Sequence, residues 1–372
     1  MFPARVLVDL AAIRDNVARL REYADGAQVM SVVKADGYGH GLVPAARASL
    51  AGGASWLGVA QLSEALALRA GGIKAPVLAW LFAPGAPLAQ CITADVDLSV
   101  SAPWALEQVR QASAHVGRPA RVHLKLDTGL GRGGAFFESW TELLHQALAA
   151  QADGLVHVVG LWSHLARADE VDHPSVQAQV RLFARAVRYA QTTGAQLEVR
   201  HLANSAATIT EPGLHYDLVR PGLAVYGLSP LPGTEPAQLG LRPAMTVEAQ
   251  VALVKRAGAG QGVSYGHTYT TTGDTQLALV PIGYGDGVPR HAGNAAQVML
   301  AGRRFRIAGR VCMDQFVLDV GDADVAAGDR VVLFGPGSDG EPTAQDWAEA
   351  AGTINYEIVT RIASRVPREY SE

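Results

Sequence analysis

At 372 residues the chain is long for one ordinary domain, which predicts one large domain and a smaller one. Hydrophobic residues make up 49% of it and charged residues 18%, enough apolar material for a packed core and too much for a disordered chain. A formal net charge of -4 provides no basic field, so nucleic acid and anionic membrane surfaces are not expected partners.

The opening residues Met1-Phe2-Pro3-Ala4-Arg5 lack the apolar core and small-residue cleavage site of a signal peptide. The longest apolar stretches, such as 77–83, are too short to span a bilayer. With only two cysteines, Cys91 and Cys312, a disulfide framework is not expected, and the chain reads as cytoplasmic. Its 11 histidines form no HxxxH or HExxH arrangement and have no CxxC partner, so no metal site is expected.

In chain order, 6–10 reads as a strand able to pair with either domain. Short β-branched runs then alternate with longer Ala/Leu/Arg-rich stretches as far as about residue 230. The runs are 29–33, 56–60, 77–81, 97–100, 122–126, 157–161, 197–202 and 218–219. Between them, 103–116, 138–149 and 175–193 carry apolar residues at helical three- and four-residue spacing. Strand and helix alternating eight times is the pattern of a (β/α)8 TIM-type barrel over 1–239, with a doubly wound sheet as the alternative. After Leu239 the helical periodicity stops. Strands at 245–254, 275–282, 296–300, 317–320 and 330–334, separated by Gly- and Asp-rich turns, predict a mostly-β second domain over 240–372, with a short amphipathic helix near 343–351.

Barrel enzymes carry their chemistry on the loops that follow the strands. The polar residues here fall at those places. Lys34 directly follows Ser31-Val32-Val33. Lys125 and Asp127 end the fifth run, and Arg132 lies in the glycine-rich loop beyond it. His164 closes the sixth run, Asn204 and Ser205 follow the seventh, and Arg220 ends the eighth. A lysine at the end of an apolar strand is desolvated, which lowers its pKa and frees the amine to form a Schiff base; the plainer alternative is a surface lysine that snorkels. The loop Gly37-Tyr38-Gly39-His40-Gly41 lets backbone approach a ligand closely. It lacks the GxGxxG spacing, and Val59-Ala60-Gln61 supplies no acid for a ribose, so a dinucleotide site is not indicated. Asn204-Ser205 reads either as a helix N-terminus open to a phosphate or as an ordinary N-cap. Gly222 and Leu223, after Arg220-Pro221, offer further N–H groups. A Schiff-base lysine facing a phosphate cradle implies pyridoxal 5'-phosphate.

These segments carry a resemblance. Val32 through Gly41, Leu124-Lys125-Leu126-Asp127-Thr128-Gly129 with Arg132, Ser163-His164, Asn204-Ser205 and Arg220 through Gly227 resemble bacterial alanine racemase. So do Val263-Ser264-Tyr265-Gly266, Gly283-Tyr284-Gly285-Asp286-Gly287, Cys312-Met313-Asp314 and Ile354-Asn355-Tyr356-Glu357. Position 285, glycine here, is more often alanine in that family. The resemblance implies interconversion of L- and D-alanine, D-alanine serving peptidoglycan, in a homodimer with shared active sites. It implies that Lys34 carries the cofactor and is one catalytic base, with Tyr265 of the partner subunit as the other. It gives Tyr38, Ser205, Gly222, Leu223 and Tyr356 to the phosphate and Arg220 to the pyridine nitrogen. His164 is expected between Arg220 and Tyr265. Arg132 and the Met313 backbone are expected to hold the substrate carboxylate, with Tyr284 and Asp314 also against the substrate. Read from the residues alone, Tyr265 is equally a core tyrosine of a strand.

Other readings are an amino-acid decarboxylase on the same barrel-plus-β plan, a non-enzymatic pyridoxal-phosphate-binding protein and a racemase of broader scope. A decarboxylase would carry a glycine run for the phosphate and a carboxylate at the ring nitrogen. A non-enzymatic carrier would be a single barrel, and the broad-scope racemases are usually exported. Finally, alternation in 122–127 points His123, Lys125 and Asp127 to one face. A charged Lys125 inside a packed barrel beside Arg132 is costly. Either it carries a carbamate, or Asp127 or a bound anion neutralises it.

Overall fold

The computed structural model describes residues 3–170 and 173–372, so Met1 and Phe2 of the N-terminal reading lie outside the described residues. The chain divides into two compact units. One comprises Ile13–Gly37 and Leu42–Leu241; the other comprises the segment up to Ala12, Tyr38–Gly41 and Arg242–Glu372.

The first strand, β1 (Ala4–Asp9), belongs to the second unit. Its alternating residues Ala4, Val6 and Val8 are buried, as a strand with one covered face requires. The barrel strands follow: β2 (Gln28–Val32), β3 (Trp56–Gln61), β4 (Val77–Leu81), β5 (Val96–Val100), β6 (Ala120–Lys125), β7 (Val156–Trp162), β8 (Val199–His201) and β9 (Leu218–Val219). They form one parallel sheet in the order β8-β7-β6-β5-β4-β3-β2-β9. Hydrogen bonds from Asp217 N–H to Arg200 O (3.1 Å) and from Arg220 N–H to Ala203 O (2.9 Å) join the two ends of that order. The expected (β/α)8 barrel is therefore present, with all eight anticipated strands. The three anticipated helices are Pro103–Val116, Phe137–Ala152 and Pro174–Thr192.

The barrel's interior is part apolar and part polar. Met30, Trp56, Leu78, Val159, Val199 and Leu218 pack as one cluster. β5 is buried along its whole length although it contains Asp97 and Ser99. Polar groups there are tolerable only with partners. Each has one: Trp162 Nε1 donates to Ser99 Oγ at 2.9 Å, and Asp97 accepts from Arg121 and His123.

In the second unit the strands are β10 (Met245–Gln250), β11 (Leu253–Ala257), β12 (Gly262–Val263), β13 (Tyr269–Thr270), β14 (Thr275–Val280), β15 (Gln297–Leu300), β16 (Arg303–Arg306), β17 (Phe316–Gly321), β18 (Arg330–Phe334) and β19 (Arg368–Ser371). The larger sheet runs β16-β15-β18-β10-β1-β19, and a smaller one runs β11-β14-β17. The mostly-β character is as expected. One boundary is not: the run 245–254, expected as a single strand, breaks at Val251-Ala252. β10 pairs with β1 and β18, whereas β11 turns away to pair with β14. The anticipated short helix is Ala344–Ala351, capped by Thr343 Oγ1 accepting from Asp346 N–H at 3.1 Å. Among the described residues no helix is long and apolar enough to cross a membrane.

Candidate active site

The barrel unit gathers most of the candidate residues on its C-terminal rim. Lys34 follows β2 and opens a turn of unusual hand: Ala35, Asp36, Gly37 and Tyr38 have φ of 53°, 55°, 61° and 52°. A left-handed helical turn costs an L-residue roughly 1–2 kcal/mol, and three of these four are not glycine. The compensation is a set of directed hydrogen bonds. Ala35 N–H donates to Glu64 Oε1 at 2.7 Å, while Ala60 and Gln61 N–H donate to Glu64 Oε2 at 3.0 and 2.9 Å. Leu42 N–H donates to Asp36 Oδ1 at 2.8 Å. Glu64 was not among the sequence candidates. It lies in the first turn of the helix Leu62–Ala70, where an acid reads as a simple cap. Burial lowers the pKa of Lys34, the charge of Arg132 lowers it further, and Glu64 opposes both. The amine is thereby closer to the neutral form a nucleophile or base needs.

At the end of β6, Lys125 is buried with its Nζ 4.4 Å from the centre of the Trp162 ring. Burial, then the charges of Arg132 and Arg220, bring its pKa down to about 8. Asp127 does not form an ion pair with it. Its Oδ1 accepts from the N–H groups of Gly129 (2.8 Å), Leu130 (3.0 Å) and Gly131 (3.2 Å), and its Oδ2 accepts from Arg132 N–H (3.1 Å). The carboxylate shapes the loop that presents the exposed Arg132, and its charge acts on Lys125 without a direct ion pair, partly opposing the fall in the lysine's pKa. Gln179, another residue the sequence did not single out, ties this loop to the next. Its Nε2 donates to Thr128 Oγ1 (2.9 Å) and His164 O (3.0 Å), and its Oε1 accepts from Ala166 N–H (2.9 Å).

Arg220 is buried at the end of β9 with no carboxylate partner among the described residues. Its Nη2 donates to Ser163 O (2.7 Å) and Leu202 O (3.1 Å), and its Nη1 donates to His201 Nδ1 (3.1 Å). Nε–H and one Nη1–H remain available to a ligand. Burial lowers its pKa, yet the guanidinium stays charged at neutral pH. His164 Nδ1 lies 3.5 Å from Arg220 Nη2. Burial first, and Arg220 second, hold the His164 pKa well below its usual value, so the ring is neutral.

Asn204 is an N-cap for the helix Ser205–Thr210, its side chain accepting from Ala207 N–H at 3.1 Å. Ser205 adds what a plain cap does not. Its Oγ accepts from Gly222 N–H (2.8 Å) and Ala224 N–H (3.4 Å), so its own hydroxyl hydrogen remains to donate. Gly222 thus acts here through Ser205, while Leu223 is buried beside it. A hydroxyl hydrogen and helix N-terminal N–H groups suit an anion.

The second unit holds the other candidates. Tyr265 sits in a short 3-10 turn and is 70% exposed, which removes the alternative of a core tyrosine. Met313 and Asp314 are also exposed, as is Tyr284. The Cys312–Met313 peptide is fixed by its carbonyl, which accepts from Tyr284 N–H at 3.0 Å; Gly285 N–H donates to Met313 O at 2.8 Å. In a trans peptide the N–H points opposite to the C=O, so Met313 N–H is turned away from that turn. Gly283 makes this possible, since a Cβ there would come within 2.6 Å of Cys312 O, Met313 O and Gln315 N. Arg365 supports the same turn, bonded to Asp286 and, at 2.7 Å, to Asp314 Oδ1. A Cβ on Gly285 would lie 2.9 Å from Arg365 Nη2. Tyr38 and Tyr356 are neighbours in this unit, with ring centroids 6.3 Å apart. Burial, then Tyr356, push the Tyr38 phenol upward, so it is a neutral donor.

Comparison with known proteins finds two adjoining family matches: the alanine racemase N-terminal domain over residues 8–230 and the alanine racemase C-terminal domain over residues 244–370. An alanine racemase of Beutenbergia cavernae is 61% identical over 368 residues, which are 99% of this chain and 97% of the relative. The crystal structure of alanine racemase from D-cycloserine-producing Streptomyces lavendulae superposes with a TM-score of 0.99 at 54% identity, covering 100% of this chain and 98% of that one. The Bacillus anthracis alanine racemase with bound L-Ala-P superposes with a TM-score of 0.88 at 35% identity, covering 100% and 96%.

Proposed function

The chain belongs to the alanine racemase family and interconverts L- and D-alanine, and from that premise we propose a two-base reaction on pyridoxal 5'-phosphate with Lys34 and the partner subunit's Tyr265 on opposite faces of the substrate. The observation that carries it is the donor set of the barrel rim. A lysine amine with lowered pKa, a buried arginine with N–H groups available and a serine hydroxyl left to donate converge there. That set fits the cofactor: Lys34 for its aldehyde carbon, Arg220 for the ring nitrogen, and Ser205, Gly222, Leu223, Tyr38 and Tyr356 for the phosphate. When bound, the cofactor supplies the electron-withdrawing ring that makes the Cα–H of alanine acidic.

The remaining work belongs to the chain. Arg132 and the Met313 N–H of the partner subunit hold the substrate carboxylate, with Tyr284 and Asp314 beside it. Racemisation requires one proton removed on one face and one delivered on the other, hence two bases. Lys34 takes or gives the proton on the D face. A phenol with pKa near about 10 is a weak base at neutral pH. Neutral His164, its Nδ1 turned to Arg220, offers an Nε2–H to the Tyr265 oxygen. Arg220 keeps its own proton and gives none to the ring nitrogen. A decarboxylase on this plan would present a carboxylate there instead. Lys125 carries a carbamate that accepts from Arg132 and steadies it; its lowered pKa and buried position support this. A head-to-tail homodimer, cytoplasmic and supplying D-alanine for peptidoglycan, completes the reading.

Hydrogen exchange in deuterated water tests the two-base assignment. Tyr265→Phe should still exchange the Cα hydrogen of D-alanine while leaving that of L-alanine in place. Equal exchange from both enantiomers would overturn the division of faces.

A further inference from the structure

Beneath the rim, the barrel contains a row of buried polar side chains that none of these steps uses. Asp97 on β5, His123 on β6 and His201 on β8 lie between Arg121 and Arg220, with exposures of 2%, 0% and 0%. Arg220 Nη1 is 3.1 Å from His201 Nδ1, His201 Nε2 is 3.0 Å from His123 Nδ1, and His123 Nε2 is 3.1 Å from Asp97 Oδ2. Arg121 closes the far end: its Nε donates to both Asp97 oxygens at 3.0 and 3.2 Å, and its two Nη groups donate to Glu198 at 3.0 and 2.9 Å.

Elementary hydrogen-bond chemistry fixes the direction of this row. A guanidinium N–H only donates, so the facing His201 Nδ1 carries no proton. The proton of neutral His201 is then on Nε2, which donates to a bare His123 Nδ1. His123 in turn carries its proton on Nε2 and donates it to the Asp97 carboxylate. The reverse assignment would set N–H against N–H at Arg220. A second proton on His201 would meet the same donor, and burial and the charge of Arg220 both act against it. Asp97, fixed by Arg121, is the terminal acceptor that makes one direction the stable one.

The sheet is built to admit the row. A Cβ on Gly160 of β7 would lie 2.3 Å from His123 Nδ1, so only glycine leaves room for the ring. The β6–β7 register shifts between Val122 and His123, next to that gap. Trp162 stacks on His201 with centroids 5.6 Å apart and planes 5° apart, and Arg220 Cζ lies 4.9 Å from the Trp162 ring. With Ser163 O and Leu202 O on Nη2 and His201 Nδ1 on Nη1, three of the five guanidinium N–H groups are bound by the barrel, which leaves Nε–H and one Nη1–H.

We infer that Asp97, His123 and His201 are positioning residues for Arg220: the row holds His201 permanently as an acceptor and so keeps the guanidinium in the one orientation that offers an N–H to the cofactor's ring nitrogen. The last clause rests on the role given to Arg220 above; the hydrogen-bond direction does not. Disturbing the row away from Arg220 lets the His201 ring change tautomer, and the guanidinium then loses an acceptor and faces a donor.

The test uses the dimeric holoenzyme labelled with 15N-histidine. Nitrogen shifts assigned through Gly160→Ala, Asp97→Asn and the single His123→Gln and His201→Gln variants should show both rings neutral and protonated on Nε2 alone. In Gly160→Ala, which touches no group of the reaction, His201 should become a mixture of tautomers and the cofactor's visible band should shift. Its kcat should fall about tenfold, the loss of one hydrogen bond to a charged group, while KM for alanine changes little. Asp97→Asn should behave alike. Nδ1-protonated or doubly protonated His201 in the wild type would overturn the inference. So would a folded Gly160→Ala with unaltered tautomers, band and kcat. The expected tautomers together with an Arg220→Lys enzyme of unaltered band and kcat would contradict only the role of Arg220 in catalysis.

Discussion

Replacing Lys125 by methionine should make the protein more stable and the enzyme worse. The lysine is buried, and its pKa drops from 10.5 to about 8, chiefly through burial and then through Arg132 and Arg220. At about 1.4 kcal/mol per pH unit this fall corresponds to about 3 kcal/mol against the charged form. The contact of Nζ with the Trp162 ring at 4.4 Å returns about 1 kcal/mol. Lys125→Met, of similar length and without charge, should therefore gain about 2 kcal/mol near neutral pH. The charged form is the one the fold disfavours, so the penalty is complete below about pH 8. It disappears as pH rises from about 8 to about 10.5, where the native lysine has lost its proton and the unfolded one has not. Urea unfolding of both proteins, at one protomer concentration and in buffer free of carbon dioxide, should show a gap that closes across that window. Bicarbonate should narrow it at lower pH, because the carbamate removes the buried cation, and 13C-bicarbonate should give a carbamate carbon signal lost in the variant. Without an anion to steady Arg132, the variant's KM for alanine should rise. A gap independent of pH, or a less stable variant, would refute this reasoning.

Lys34→Ala should abolish both racemisation and the visible band of the bound cofactor, read by spectrophotometry. Mixing inactive Lys34→Ala with inactive Tyr265→Phe subunits should restore part of the activity, since one of the two hybrid sites keeps both bases; no recovery after verified subunit exchange would count against shared sites. Glu64→Gln places an amide against three N–H donors, now held at 2.7 to 3.0 Å, and should cost about 1–3 kcal/mol in unfolding experiments together with cofactor affinity. Gly283→Ala drives a Cβ within 2.6 Å of the Met313 turn and should raise KM for alanine far more than it lowers cofactor binding, measured by titration.

Much of this arrangement was legible in the sequence, for identifiable reasons. Barrel strands covered on both faces read as short apolar runs, and helices such as Pro103–Val116 announce themselves by periodicity, a proline in the first turn and Gly117 in the left-handed region. The rim residues stand out because each lies at the end of a run or on the loop that follows it. What escaped depends on partners distant in the chain. Nothing at Val251-Ala252 marks a break; only the pairing of β10 with β1 and β18, and of β11 with β14, divides the run. β1 was undecided for the same reason. Asp127, two residues from Lys125 on one strand face, reads as a counter-charge, but its loop-shaping role appears only once the glycines at 129 and 131 let the loop curl back onto its carboxylate. The glycines at 37, 39 and 41 hint at an unusual turn, but the left-handed Ala35 and Asp36 are held by Glu64, 29 residues from Ala35, and by the Leu42 N–H on Asp36. His123 was placed on the inner face by alternation, whereas Asp97 and His201 carried no local signal.

The most direct measurement is chiral chromatography of the holoenzyme's products, from pure L-alanine and, separately, from pure D-alanine, in deuterated water. Enantiomers have equal free energies, so both reactions should converge on equal amounts of the two forms, each labelled at Cα. Alanine left unconverted, or converted with release of carbon dioxide, would contradict the account.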